Sequence, residues 1–367
     1  MASTLSPIVW FPSKGVNNSQ PKHVLGFDMA SDGQDFVIEE NTICKKRDGF
    51  TAVNTTAVSA NPTVNSLSSL RLSNGTIHEV LGTSNGGLWE EDSGVVTNSI
   101  LSGLATNRPL EYTQFLDTLI IADGTNVLNT WTGAATANIS AAATGAKFVE
   151  THINKLFIAG ISSASDRVDY SATDDFNTWT GAGTDQFQVE QNDGQNITGI
   201  KSYSRNELII FKDRAMHKLV GFDKPSFNRV SVDLSVGCVC SRTIQNFKAS
   251  AGGGLLIWAY IDGIYVYDGA NVEKISSYLQ ETWDTINRSR YTFMDSTIDI
   301  DKGRYLITFS TGSSVTNDTT LAIDLRHPWR DDTGLHFPIF PWTVDTQSLH
   351  TEIAATTNIQ RIVFGAS

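Results

Sequence analysis

Short apolar runs, each followed by a polar or glycine-containing turn and a second apolar run, recur along this chain and predict β-hairpins. The clearest example lies at residues 252–269, where apolar runs at 255–260 and 264–267 flank Asp262 and Gly263. Glycine supplies the positive φ that a tight turn between two strands requires. Because an isolated hairpin is only marginally stable in water, its apolar faces must pack against other parts of the chain.

Six further units with this pattern begin near residues 78, 116, 154, 206, 303 and 351, and their leading apolar residues are separated by 37 to 52 residues. A recurrence of roughly 40 to 50 residues, made of strands alone, is typical of propeller blades. The sequence therefore predicts an all-β fold, a β-propeller of six or seven degenerate blades in which the final strand pairs with the first blade. The leading residues are Leu81, Leu119, Leu156, Leu208, Leu255, Tyr305 and Ile353.

Two other architectures, an up-and-down barrel and a stack of sandwiches, share part of this spacing. We assign residues 66–367 to the propeller. Residues 1–65 are polar and turn-rich, with one strand-like run at 36–38, and we expect them to form an N-terminal arm and linker that contacts a neighbouring subunit or partner. The sequence contains no convincing helix longer than about ten residues, and the best candidate for a helix lies within 276–290, where apolar residues have helical spacing.

The composition predicts a folded, acidic protein. Of the 367 residues, 40% are apolar, and the formal net charge is −12. This charge opposes tight nonspecific binding to nucleic acid or anionic lipid, although it is equally consistent with a role in solubility alone. No run of about eighteen apolar residues is present, so we expect no membrane span. The chain begins without the basic start and apolar core of a signal peptide, which predicts assembly in a reducing cytoplasm.

Three cysteines, Cys44, Cys238 and Cys240, are too few for a disulfide framework in a chain of this length. Cys238 and Cys240 occupy alternate positions of an apolar stretch. If that stretch is a strand, both side chains point to one face. We therefore predict two small, buried, free thiols there.

Catalytic signals are weak. The sequence contains no Gly-x-Ser-x-Gly, no phosphate-binding Gly-Lys-Ser/Thr loop and no His-Glu-x-x-His. Asp299 and Asp301 fit a hairpin turn better than a calcium loop, which needs more oxygen ligands and a later glutamate. Seven histidines lack metal-like spacing and are expected to be surface or satisfied core residues: His23, His78, His152, His217, His327, His336 and His350.

Two acidic pairs, Asp174–Asp175 and Asp331–Asp332, lie outside the apolar clusters that would raise a carboxyl pKa for general acid catalysis. We predict that the protein is not an enzyme, that it has no catalytic, metal-binding or cofactor-binding residues, and that it uses no cofactor.

Residues 171–180, SATDDFNTWT, resemble the Asp-box turn of sialidase propellers, Ser-x-Asp-x-Gly-x-Thr-Trp, through Asp174, Thr178 and Trp179. Ala172 and Phe176 stand where that motif has serine and glycine. The motif occurs once here, and no arginine cluster for a substrate carboxylate is identifiable. A carbohydrate-binding or sialidase-like propeller for host-surface recognition is therefore the alternative interpretation.

A second resemblance covers more of the chain. The succession VDYSATDDFNTWT, NELIIFKDRAMHKLVG and SVGCVCSRTIQNFKASAGGGLLIWAYIDGIYVYDG is similar to the tail nozzle and head-to-tail stabilisation proteins of short-tailed bacteriophages. The N-terminal stretch KGVNNSQPKHVLGFDMASDG and the turn CKKRDGFTAV also resemble that family. Asp48 departs from the family pattern, which has proline there. Recognisable motifs lie at residues 14–55 and 168–275, and they are structural turns and strands.

This resemblance implies a non-enzymatic structural protein of the virion tail, a nozzle or head-to-tail connector assembled in the host cytoplasm. It implies a homo-oligomer, a six-fold ring, that contacts portal or adaptor proteins and other tail proteins, with tail-fibre attachment left open. Double-stranded DNA would pass through the ring without specific binding, and the ring would help to retain and deliver the genome. The arm suits strand addition to a neighbour, and its basic turn Lys45-Lys46-Arg47 suits an acidic partner surface. A generic cellular scaffold propeller is a third interpretation.

Overall fold

The computed structural model describes residues 12–39, 44–52, 54, 58, 60–248, 254–353 and 360–365. Within these ranges the regular structure is almost entirely β: thirty strands, one α-helix of five residues and three short 3₁₀ segments. The first two strands belong to the N-terminal arm, and they pair antiparallel as a small hairpin, β1 (Phe36–Ile38) and β2 (Cys44–Lys46). The predicted strand at 36–38 is confirmed.

Three four-stranded antiparallel sheets follow in chain order. The first contains β3 (Val64–Arg71), β4 (Ile77–Thr83), β5 (Leu88–Asp92) and β6 (Val95–Leu101). The second contains β7 (Glu111–Phe115), β8 (Thr118–Ala122), β9 (Leu128–Trp131) and β10 (Thr136–Ile139). The third contains β11 (Phe148–His152), β12 (Lys155–Ile161), β13 (Ala164–Tyr170) and β14 (Asp185–Gln188).

Three more sheets complete the set of blades. The fourth contains β15 (Ile197–Ser204), β16 (Glu207–Lys212), β17 (Met216–Val220) and β18 (Asn228–Asp233). The fifth contains β19 (Gln245–Lys248), β20 (Gly254–Tyr260), β21 (Gly263–Tyr267) and β22 (Val272–Lys274). The sixth contains β23 (Asp295–Asp299), β24 (Arg304–Phe309), β25 (Thr319–Asp324) and β28 (Ile339–Trp342), with a hairpin of β26 (Trp329–Asp331) and β27 (Gly334–His336) inserted before its last strand.

The six sheets are the blades of a β-propeller, as the sequence predicted. The first strand of each blade lies innermost, so that β7 packs between β3 and β11. One apolar cluster fills each interface between successive blades. The second strands β12, β16 and β24 are covered on both faces, which explains why they are apolar along nearly their whole length.

A two-stranded hairpin closes the ring. It consists of β29 (Ser348–Ile353) and β30 (Gln360–Gly365), and β29 packs against β23 on one side and β3 on the other. The last described strand, β30, pairs with β29 rather than with the first blade, so that detail of the prediction is wrong. The sixth and first blades are therefore joined through packing and side-chain contacts across this closing hairpin.

Three local predictions, for a hairpin, a helix and two cysteines, can be compared with the structure. Strands β20 and β21 form the hairpin expected at 252–269, apart from residues 252 and 253, which lie outside the described residues. The candidate segment at 276–290 does contain a helix, but it is short: α1 spans Gln280–Asp284 only, between two 3₁₀ segments. Cys238 and Cys240 are free and buried as predicted, but they lie in a connection and not in a strand.

Candidate functional site

The inner strands surround a polar cavity of about 350 Å³ on the propeller axis. Its wall comes from β3, β7, β15, β19, β23 and β29, together with the 3₁₀ segment Ser241–Thr243 that precedes the fifth blade. Ile300, with 59% of its surface exposed, and Gln360 also line it, so the cavity reaches the surface at the turn after β23. The charged or ionisable side chains in the wall are Glu111, Tyr112, Lys201, Arg242, Asp295 and His350.

Arg242 is the central cation of this cavity, and only 9% of its side chain is exposed. Its Nη1 donates to the carbonyl of Asn65 at 2.7 Å and lies 3.3 Å from Asp295 Oδ2, and its Nη2 donates to the carbonyl of Met294 at 3.0 Å. Asp295 Oδ2 also accepts from the backbone N–H of Leu349 at 3.0 Å. One ion pair thus connects the first blade, the sixth blade and the closing hairpin.

Two carboxyls in the cavity retain protons more strongly than usual. Burial raises the pKa of Asp295 to about 6, although Arg242 acts in the opposite direction. Burial likewise raises the pKa of Glu111 to about 7, against the hydrogen bond that Ser241 Oγ donates to it and the charges of Arg242 and Lys201. Lys201 in turn lies 3.5 Å from Glu150. The cavity therefore combines both signs of charge, and none of these cations faces it without a carboxylate nearby.

Several predicted core histidines do lie in the interior. Burial lowers the pKa of His152 and of His350 to about 4, which keeps both rings neutral near pH 7. His152 Nδ1 is 2.8 Å from Ser202 Oγ, and His350 Nε2 is 3.0 Å from Ser69 Oγ. Among the residues that the structure describes, no group of three or more His, Cys, Asp or Glu side chains is placed to hold a metal ion.

The acidic motifs singled out in the sequence serve local turns. Asp299 accepts from the N–H of Lys302 at 3.0 Å in the turn between β23 and β24, as predicted. Asp175 accepts from Asn177 N at 2.8 Å and from Thr178 Oγ1 at 2.7 Å within the Asp-box-like segment. Asp331 accepts from Thr333 and Tyr278 at the inserted hairpin, and these hydrogen bonds hold its pKa well below the usual range.

A second charged cluster joins the closing hairpin to the first blade. Arg361 Nη2 on β30 lies 2.5 Å from Glu79 Oε1 on β4, and its Nε donates to Glu352 on β29. Two carboxylates thus share one guanidinium. Burial raises the pKa of the nearby Glu91, and the charge of Glu79 contributes to this increase. Burial, followed by the hydrogen bond and charge of Glu352, raises the pKa of Glu79 to about 7.

This cluster predicts a loss of stability as pH rises to neutrality. The folded-state pKa of Glu79 lies above its unfolded value of 4.5, so its contribution is complete below about pH 4.5 and disappears as pH rises through about 7. Glu111 acts with the same sign. His152 and His350 act oppositely, but only between about pH 4 and 6.5. We therefore expect the melting temperature to fall as pH rises from about 6.5, above the range in which the histidines act, through about 7, and then to level off.

The matched test compares Glu79→Gln with Glu281→Gln, which removes the same charge from an exposed position on α1. Thermal unfolding followed by circular dichroism should give a shallower pH slope in E79Q than in the wild type, and an unchanged slope in E281Q. Equal slopes in all three proteins would show that the shared arginine does not couple folding to protonation in this range.

The N-terminal arm lies on the outer strand of the sixth blade of its own chain. The N–H of Val16 donates to the carbonyl of Ile339 at 3.0 Å, and the N–H of Asp35 donates to the carbonyl of Pro341 at 2.9 Å. Val16 is buried, with 5% exposure. The arm therefore covers a sheet edge by backbone hydrogen bonds, a mode of association that also joins separate chains.

Side chains of the sixth blade fix the arm further. Arg304 and Arg326 both donate to the carbonyl of Ile38, at 3.2 and 2.9 Å. Trp342 Nε1 donates to the carbonyl of Phe36 at 3.1 Å. All three hydrogen bonds are accepted by backbone carbonyls of the arm. The contact therefore depends on the backbone conformation of the arm as well as on its side chains.

The basic turn of the arm is used within the chain. Arg47 Nε pairs with Asp35 Oδ1 at 2.6 Å, and Asp35 also accepts from the N–H and the hydroxyl of Thr343. Lys45 lies 3.1 Å from Glu39, whereas the side chain of Lys46 is exposed. Binding of this turn to an acidic partner stays a prediction, and only Lys46 of the three lacks an ion pair among the described residues.

A second polar groove lies between the first and second blades, with a volume of about 400 Å³. Glu90 and Trp131 are in its wall. His78 Nδ1 lies 2.6 Å from Glu90 Oε1, and its ring packs edge-on against Trp131 at 5.2 Å between centroids. Trp131 is only 3% exposed, so this groove offers no open aromatic face to a ligand.

The sequence did not reveal the axial charges. Arg242 and Asp295 are 53 residues apart, and Ser241 and Glu111 are 130 residues apart. One sequence feature could have indicated these axial charges: a charged residue stands at the first position of some short inner strands, as Glu111 does in β7 and Asp295 in β23. That signal acquires meaning only once the blade order places those positions around one axis.

Comparison with known proteins supports the fold. No family model matches the chain, and no curated protein matches its sequence. The extracellular domain of a putative hybrid two-component system from B. thetaiotaomicron superposes with a TM-score of 0.50 and 9% identity, over 84% of this chain. This chain spans 38% of the length of that relative. The computationally designed Ika8 protein matches with a TM-score of 0.45 and 10% identity, over 85% of this chain and 95% of its own.

At these identities the likeness concerns the fold alone, and the class defined is an all-β propeller of six four-stranded blades. Among the described residues, no helix has the length and apolar character needed to cross a membrane.

Proposed function

We propose that this propeller is a non-enzymatic structural protein that assembles with copies of itself and with neighbouring proteins. The particular assembly proposed is the bacteriophage tail, where it would form part of a nozzle or head-to-tail connector ring around the DNA channel. The observation that carries the proposal is the arm, which binds a blade edge through backbone hydrogen bonds and carbonyl-directed side chains.

Two further features support a structural role. Ionisable groups that line the axial cavity also make contacts that join blades, such as Arg242 with Asp295. The motifs at residues 14–55 and 168–275 are the basis for the phage assignment. A six-fold ring and the passage of DNA without specific binding follow from that resemblance, and the net charge of −12 is compatible with them.

The deciding experiment is mass photometry and negative-stain microscopy of the purified protein, alone and mixed with a candidate portal or adaptor ring. We expect rings of defined symmetry that dock on the portal or adaptor. A protein that stays monomeric in both conditions would contradict the assembly proposal. A ring whose lumen is basic would contradict the unhindered passage of DNA.

The arm can be tested separately with Asp35→Ala. Removing this carboxylate eliminates the partner of Arg47 and the two hydrogen bonds from Thr343, at a local cost of about 1–3 kcal/mol. We expect faster hydrogen exchange at residues 36–38 and 44–47 and loss of rings, with the unfolding transition of the propeller nearly unchanged. The matched control is Asp301→Ala, in an exposed turn far along the chain. Rings that form equally well in D35A would show that assembly does not use the arm.

The alternative function, carbohydrate binding for host-surface recognition, is favoured by a different observation. The axial cavity is lined mainly by hydroxyl, amide and charged side chains, as saccharide sites often are. A sialidase activity would need more than the single Asp-box-like turn, in which Ala172 and Phe176 stand where the motif has serine and glycine.

A further inference from the structure

The outer strand of the fourth blade, β18, is an edge strand with no further strand partner among the residues that the structure describes. The order of this sheet ends at β18, and the first four residues of the strand are exposed. Phe222 before the strand, Val230 within it and Leu234 after it are 56%, 37% and 69% exposed. An apolar strand edge of this kind is a template for association with another chain.

The two charged residues of β18 do not protect this edge, although exposed charges usually prevent the association of edge strands. Arg229 turns toward the third blade, where it donates to the carbonyl of Gln188 and its guanidinium carbon lies 5.7 Å from the ring centroid of Phe187. Asp233 accepts from the N–H and the hydroxyl of Ser235 in the turn that follows the strand. Both charges are therefore used in contacts within the chain.

Most other blade edges are shorter or covered. The outer strands β10, β14 and β22 contain four, four and three residues, whereas β18 contains six. The edge of β28 is covered by the arm, through the hydrogen bonds from Val16 and Asp35. The chain thus leaves open on the fourth blade the kind of edge that it covers on the sixth.

The N-terminal arm presents an exposed apolar loop, residues 21–27. Val24 is 60% exposed, and Phe27 is 78% exposed, the largest value among the large apolar side chains described. The N–H of Asn17 donates to the carbonyl of Ala30 at 2.7 Å, which closes the base of the loop. Because its base is fixed, the loop can offer an aromatic side chain to a partner at a small cost in ordering.

This loop is too far from β18 to cover it within one chain. The N–H groups of Asn18 and Ser19, just before the loop, donate to the carbonyl of Tyr278, in the connection between the fifth and sixth blades. The fifth blade therefore separates the loop from β18. A contact between the two surfaces has to form between two copies, and it is heterologous because the surfaces differ.

The charges around the two surfaces have opposite signs, which favours this contact. Lys22 in the loop is exposed and has no ion pair among the described residues. On the fourth blade, Asp223 follows Phe222 directly, and it is likewise exposed and without an ion pair in the described part of the chain. Burial lowers the pKa of Lys155, and the charges of Asp223 and Asp174 act in the opposite direction, so both carboxylates lie near this amine.

We propose that the loop of residues 21–27 in one copy docks on the outer edge of the fourth blade, residues 228–234, in the next copy. Phe27 packs there against Val230 and Leu234. The inference rests on the proposed assembly of copies and names the two surfaces that join them. Because each copy carries one loop and one edge, the contact repeats from copy to copy until a ring closes.

The test compares Phe27→Glu and Leu234→Glu with the control Leu116→Glu, which makes the same change at a 69% exposed leucine of the second blade. Mass photometry should show that F27E and L234E each raise the concentration for half-maximal assembly at least about tenfold, and that L116E stays within about twofold of the wild type. All three side chains are exposed, so the unfolding transitions should match that of the wild type.

Mixing the two interface variants tests whether the contact is heterologous. The intact loop of L234E can dock on the intact edge of F27E, but the remaining loop and edge of that pair are both damaged. We therefore expect the mixture to form pairs and no rings. Rings in F27E and L234E at the concentrations that suffice for the wild type would overturn the inference and leave the proposed assembly intact.

A second readout is photo-crosslinking from p-benzoylphenylalanine at position 27, in a mixture of ¹⁵N-labelled and unlabelled chains that identifies links between copies. We expect links to residues 222–234 of another copy. Links of position 27 only to a portal or adaptor protein, or to another part of the propeller, would overturn the inference. Links to this edge in a protein that forms no rings would support the docking surface and contradict the proposed ring, whereas neither links nor rings would contradict both.

Discussion

Arg242→Ala is expected to lower the free energy of unfolding by about 3–5 kcal/mol, because it leaves a buried carboxylate without its cation. Asp295 is only 7% exposed, and the carbonyls of Asn65 and Met294 would lose their donor in the same change. The effect concerns three parts of the ring at once, since Asp295 also binds the backbone of Leu349 in the closing hairpin. Urea denaturation of the wild type and the variant measures the difference.

Two comparisons make this prediction specific. Arg330→Ala removes an arginine that pairs with Glu273 on the surface, 61% exposed, and should leave the stability close to that of the wild type. The cost of R242A should also shrink as pH is lowered from 8 to 5, because Asp295 without its partner takes up a proton and ceases to be a buried charge. If R242A loses no more stability than R330A at pH 8, the axial ion pair does not hold the ring together.

Trp258→Ala should have an effect of similar size for a different reason. Trp258 is fully buried between the fourth and fifth blades, with its ring centroid 5.0 Å from that of Phe211, and Nε1 donates to the carbonyl of Gly237 at 2.8 Å. Removing the indole leaves a large cavity and an unpaired carbonyl, at a cost of about 3–5 kcal/mol.

Trp258→Phe separates these two terms, since it keeps most of the apolar volume but loses the N–H. Its cost should be well below that of the alanine variant. Phe222→Ala, at a position 56% exposed, should stay within about 0.5 kcal/mol of the wild type. Equal losses in W258A and F222A would mean that the blade interface is not close-packed around the indole.

The blades could be predicted because their signal is local. Each hairpin is encoded by apolar runs and a turn within about twenty residues, and the opening example at 255–267 folds as expected. The closing hairpin was recognised by the same pattern, but its partner was not. The pattern records which segments are strands, and pairing of β30 with β29 instead of β3 depends on the geometry of the whole ring.

The helix at 276–290 shows the limit of periodicity. Leu279, Trp283 and Ile286 are buried on one side as their spacing suggested. The α-helix nevertheless ends at Asp284, and Asn287 adopts an extended conformation and accepts a hydrogen bond from Ser289 N to begin a new 3₁₀ segment. Asparagine competes with helix hydrogen bonds in this way, and the apolar pattern takes no account of it.

One short turn motif recurs along the chain without marking the blades. Asp-Gly-x-Asn occurs at Asp123, Asp193 and Asp268, and each aspartate accepts from the N–H two residues later, at 2.8–2.9 Å. The three turns occupy different places within or between blades, so the motif does not mark a blade. It is a local solution for reversing the chain, as Asx turns generally are.

The order of the chain has a consequence for biosynthesis. The closing hairpin follows all six blades in sequence, yet it is the piece that lies between the sixth and the first. During translation the six blades can form one after another as they leave the ribosome, while the face of the first blade that awaits β29 stays uncovered. The nascent protein is therefore an open arc with two exposed ends, vulnerable to proteases and to pairing with other nascent chains, until residues 348–365 are released and close it.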